Sequence, residues 1–99
     1  MAEVPPELGM AAASAGWKAG HEAVRSGALV LDEVDEVARN EQIETYAAEP
    51  ARTYMRQAVA THRLTEAEGV RLFGIYMTTF ARAARDQALD GGALDSGGR

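Results

Sequence analysis

The chain has 99 residues, with 10 Lys+Arg against 15 Asp+Glu and a formal net charge of −5. That length allows one small domain with a modest core, and the acidic balance argues against nucleic-acid binding, which draws on a net basic surface to release counterions. The absence of cysteine excludes disulfide scaffolds, zinc ribbons and thiol nucleophiles.

The charge is unevenly spread. Residues 1–49 carry ten acids and three bases, whereas residues 50–99 carry five acids and seven bases. Hydrophobic content of 46% with 25% charge is ordinary for a globular domain. Alanine is the commonest residue at 20, and arginine outnumbers lysine nine to one. Both biases suit a GC-rich coding sequence of bacterial or phage origin. The opening Met1-Ala2-Glu3-Val4-Pro5-Pro6-Glu7 lacks the basic and apolar regions of a secretory signal. The apolar stretch Leu72–Ala81 is ten residues long, against the roughly 20 that a bilayer requires. No membrane span is expected; residence is expected to be cytoplasmic, or in a phage particle assembled there.

Residues 1–7, with their Pro-Pro pair, read as a loose lead-in to a single helical domain over 8–89. A first helix is expected from Leu8 to Ser26, closed by Gly27 with Arg25 in its last turn. Met10, Ala13, Trp17, Gly20 and Val24 trace its apolar face. Gly16 and Gly20 each cost roughly 1 kcal/mol against Ala, so they mark places where a neighbouring helix packs close. A second helix is expected from Asp32, where Asp32, Glu33 and Asp35 suit the positive end of a helix dipole. Its stripe opens with Val30, Val34 and Val37, then loses phase: Glu41 and Glu44 fall on that face, and Ile43, Tyr46 and Ala47 lie nearly opposite. The two ends are therefore expected to touch different neighbours.

Pro50 is expected to end the second helix and open a third. Ala51, Tyr54, Met55, Ala58, Val59 and His62 form its stripe. Thr65-Glu66-Ala67-Glu68 has the form of a capping box and starts the last helix, about Glu66 to Leu89. Leu72, Phe73, Tyr76, Met77, Phe80 and Ala84 cover a broad apolar arc there, beside a narrow edge of Arg71, Thr78, Arg82 and Arg85. Residues 90–99 read as a flexible Gly-rich tail. The fold class is all-α: a small bundle of four helices (three to four), or an orthogonal helical array, with flexible ends.

Chemistry-bearing patterns are sparse. His21 and His62, with Glu41 and Glu44, are the candidates for a carboxylate–imidazole metal site, but the Glu-x-x-His pairing of di-iron bundles is absent. Glu41 and Glu44 share a helical face, as ordinary surface acids do. Ser14 has neither the first glycine nor the preceding strand of a nucleophile elbow. Asp90-Gly91-Gly92 lacks the lysine and strand of a phosphate loop. No catalytic residue, metal or cofactor is assigned.

The sequence is accordingly expected to encode a non-enzymatic protein–protein interaction or assembly module, a homo-oligomer or an adaptor subunit. Its anchors are expected on the last helix, at Phe73, Tyr76, Met77 and Phe80, with Met10 and Trp17 on the first. Arg52, Arg56 and Arg63 fall within roughly 40° on a helical wheel and are expected to make electrostatic contacts with the partner. Two alternatives remain open. One is a regulatory nucleic-acid-associated protein using that arginine flank; the other is a small-molecule or metal-binding bundle.

Overall fold

The computed structural model describes residues 4–31 and 35–97, with side chains to residue 88. It is an all-α bundle of three helices: α1 (Pro6–Arg25), α2 (Glu36–His62) and α3 (Glu66–Gly97). The direction of each helix follows from its contacts. Gly9 of α1 lies beside Ile75 and His21 beside Gln87, so α1 runs parallel to α3. Asn40 of α2 meets Arg85, and Val59 lies beside Gly69, so α2 runs antiparallel to α3. The helix order is thus up, down, up. Both α1 and α2 pack along α3 and scarcely touch each other, so α3 is the central element of a body 51 × 23 × 21 Å.

Local chemistry sets the helix ends. Pro6 occupies the first turn of α1, where a missing N–H costs nothing. After Arg25 the chain turns through Gly27 at φ 84°, the left-handed conformation that glycine enters without penalty. The α2 N-cap is Asp35, whose carboxylate accepts from the Ala38 N–H at 3.2 Å. The expected start at Asp32 lies outside the described residues. The capping box at α3 is present in both directions: Glu68 Oε1 accepts from the Thr65 N–H at 2.8 Å, and Thr65 Oγ1 from the Glu68 N–H at 3.2 Å.

α1 meets α3 through its smallest residues. Its buried positions are Ala12, Gly16, Gly20 and Ala23, spaced by three or four to form one face. A methyl group at Gly16 would collide with Thr79 Oγ1 and stand 2.6 Å from the Tyr76 carbonyl oxygen; at Gly20 it would strike the Phe80 carbonyl. Thr79 folds its hydroxyl onto its own helix, donating to the Ile75 carbonyl at 2.9 Å. This contact corrects the expected α1 face. Met10 and Trp17 stand 73% and 39% exposed, because the helix backbones approach too closely there for large side chains to enter. The glycines mark the close approach, as expected.

α2 is a single helix that passes through Pro50, so the fold has three helices where a break at Pro50 would give four. Pro50 cannot donate to the Tyr46 carbonyl, yet Ile43, Ala47 and Ala51 are all fully buried and stay in phase across it. Packing of both halves against α3 holds the helix continuous. The expected Val30–Val34–Val37 stripe is not buried: Val30 and Val37 are exposed, and Val34 lies outside the described residues. The core joins Ile43, Ala47 and Ala51 to Tyr76, Phe80 and Ala84. An aromatic row crosses the α2–α3 seam. Tyr54 lies on Tyr76 at 5.3 Å between ring centroids, and Phe80 on Tyr46 at 5.9 Å. At its far end, the helical backbone of α3 continues past the expected Leu89 boundary, through residues 90–97, to Gly97.

Two sets of substitutions test this packing by urea unfolding followed by helical circular dichroism. Gly16→Ala is expected to destabilise by about 1–3 kcal/mol through overpacking. Gly74→Ala, on α3 with open space around it, is expected to stabilise by about 0.5–1 kcal/mol. Pro50→Ala restores the missing donor and is expected to raise stability by about 1–3 kcal/mol.

Candidate functional site

The core claims most of the apolar arc proposed as an interface. Tyr76 and Phe80 are buried, and Phe73 and Met77 pack half-buried against the same cluster. The arc is closed by α1 and α2 of the same chain. What remains on the surface is a different set of large side chains: Met10 and Trp17 on α1, Val30 and Val37 around the α1–α2 connection, Tyr46 on α2 and Val70 on α3.

A cleft of about 500 Å³ lies at the C-terminal end of α1, lined by Trp17, Lys18, His21, Glu22, Arg25 and Gln87. One helical turn separates Trp17 from His21, which brings their rings to 4.9 Å with a 53° tilt. His21 Nδ1 donates to Gln87 Oε1 at 2.8 Å. Its Nε2 lies 3.5 Å from Asp86 Oδ2 but makes no hydrogen bond. Both ring nitrogens thus face α3, and the imidazole bridges the two parallel helices. Beside it, Arg25 pairs with Glu22 on α1. The cleft offers a partner the Trp17 ring and the Lys18 ammonium.

The candidate metal residues do not come together. His21 sits beside α3 residues 86 and 87, while His62 is exposed at the C-terminus of α2. About 20 residues of α3 lie between those levels, some 30 Å at 1.5 Å per residue. Glu41 lines a cleft with Leu29 and Tyr46, and Glu44 a second cleft with Met77 and Arg85. No group of three or more potential metal ligands occurs among the described residues. Likewise, none of their helices is long and apolar enough to cross a membrane.

The arginine flank is altered at one position. Arg52 and Arg56 are exposed on α2, but Arg63 is the C-cap residue, left-handed at φ 54° and ψ 50°. Its side chain leaves the helical register, and the wheel that grouped the three no longer applies. None of the three makes an ion pair or hydrogen bond among the described residues. Arg85, from the polar edge of the last helix, donates to Asn40 at 2.8 Å and joins α3 to α2; periodicity did not single out Asn40. Comparison with protein-family models, curated proteins and solved structures finds no match.

Burial pushes the Tyr76 hydroxyl above its ordinary 10.0, with Tyr54 and Tyr46 adding to the shift; burial raises Tyr54 as well. The folded chain therefore holds these protons more tightly than the unfolded chain, whose phenols ionise near about 10. Stability is fully present below that pH and declines as pH rises above it, because the unfolded state releases protons first. Urea midpoints measured across the alkaline range are expected to fall, and Tyr76→Phe to flatten the decline.

Proposed function

We propose that this chain is a non-enzymatic protein–protein interaction module whose contact surface is the outer face of α1. The observation that carries the reading is the exposure of Met10 and Trp17, two helical turns apart on one flank of a helix whose small residues are used by the core. Large flexible and aromatic side chains of this kind concentrate binding energy at interfaces. Trp17 sits beside Lys18, Glu22 and Arg25, an apolar centre with a charged rim. The hydrogen bond from His21 Nδ1 to Gln87 of α3 supports a structural use of that histidine. The same surface suits a homo-oligomer or an adaptor subunit of a larger bacterial or phage assembly, at work in the cytoplasm.

Photo-crosslinking tests this. A photoreactive amino acid at position 10 or 17 is expected to yield a discrete protein adduct in cells that make the chain, and one at Arg71 to yield none. Adducts at Arg71 alone would overturn the assignment of the contact to α1.

A further inference from the structure

Passage of α2 straight through Pro50 has a consequence for charge. Positions 41, 45, 49, 52 and 56 advance by three or four residues, so they share one face, and all five are exposed. The opposite face carries Ile43, Ala47 and Ala51 into the core. Read along the helix, the outer face is Glu41, Thr45, Glu49, Arg52, Arg56. It is acidic before Pro50 and basic after it. Within the chain, Glu41, Glu49, Arg52 and Arg56 form no ion pair or hydrogen bond among the described residues.

We propose that this face binds a second copy of the chain, with the two α2 helices antiparallel about a two-fold axis beside residues 50 and 51. The proposal deepens the interaction reading above by naming one partner and a second surface. In this register Glu49 stands opposite Arg52 of the second copy, and the axis repeats the pair. Arg56 comes opposite Thr45 of the second copy, one turn from both Glu41 and Glu49. Each copy thus offers two cations to two or more carboxylates and receives the same in return, as an isologous contact requires. A parallel arrangement would set Glu on Glu and Arg on Arg, so the charge order selects orientation as well as partner. On and near this stripe Thr45, Ala48, Thr53 and Ala60 are exposed or half-exposed and small, which favours close approach of the helices. Since α1 and α2 lie along α3 with little mutual contact, such a dimer leaves the Met10 and Trp17 faces outward on both copies.

Exposed ion pairs are individually weak and screened by salt, which makes the interface measurable by its salt dependence. In sedimentation equilibrium the full chain is expected to dimerise at about 50 mM salt and to lose at least roughly tenfold in affinity by about 500 mM. Reversal of the basic half (Arg52→Glu with Arg56→Glu) is expected to give a monomer, as is reversal of the acidic half (Glu41→Arg with Glu49→Arg). Mixing the two variants is expected to restore a dimer, because one outer face is then wholly acidic and the other wholly basic. Unchanged helical circular dichroism of each variant shows that loss of dimer is not loss of fold. A wild-type monomer at low salt and about 100 μM chain overturns the proposal. So does a salt-insensitive dimer that survives both reversals and dissociates on Trp17→Ser, although that result leaves the α1 reading standing. Binding of duplex DNA by a wild-type monomer, lost on the arginine reversal, replaces the proposal with a nucleic-acid role. Failure of the crosslinks at positions 10 and 17 beside an intact salt-sensitive dimer overturns the α1 assignment alone.

Discussion

The close approach of α1 to α3 at Gly16 and Gly20 is the constraint on which the arrangement depends. With no side chain at either position, the α1 backbone lies against the Tyr76 and Phe80 carbonyls and against Thr79. So short a separation leaves no volume for large groups between the two helices. Much of the bulk that α3 carries is turned instead into the core shared with α2, where Phe80 and Ile43 are fully buried. For the same reason Met10 and Trp17 remain outside, since an α1 face wide enough to bury them would hold the backbones apart. The exposed surface of α1 is thus a direct consequence of its glycines.

α2 solves a different problem. It spans the full seam with α3 although Pro50 removes a donor from its interior. The lost hydrogen bond is offset by Ile43, Ala47 and Ala51 on one side of α2 and by the Tyr54–Tyr76 and Tyr46–Phe80 ring contacts. Because the helix does not break, acids on one side of Pro50 and arginines on the other belong to a single helix face. A break would have pointed the two charge groups in different directions. Charge segregation visible along the chain thereby becomes charge segregation along one helix.

Much of the fold was legible because it rests on local chemistry. The Thr65–Glu68 box, the Gly27 turn and the apolar arc of α3 each depend on residues within a turn or two of one another, and each is found where expected. The α1 face was misread because hydrophobicity ranks Met10 and Trp17 above Ala12, Gly16 and Gly20, whereas helix packing here rewards smallness. The signal was nevertheless present in the spacing Ala12, Gly16, Gly20, Ala23. Pro50 was misread by the general rule for proline; the phase of Ile43, Ala47, Ala51 and Tyr54 runs through it unbroken. Of the candidate site residues, periodicity correctly put Arg52 and Arg56 on one exposed face. It could not show that Arg63 turns into the left-handed region, nor that His21 and His62 lie at opposite ends of α3.

By itself the sequence determined the secondary-structure class, most helix ends and the division of charge at Pro50, because short-range hydrogen bonding and composition decide those. Only the tertiary structure decided which side of α1 is interior and that α2 carries one buried face through Pro50. That choice depends on the distance between helix axes, a property of residues far apart in the chain. The net charge of −5 describes an acidic protein. The fold makes it a protein whose middle helix is acidic at one end and basic at the other along its outer face.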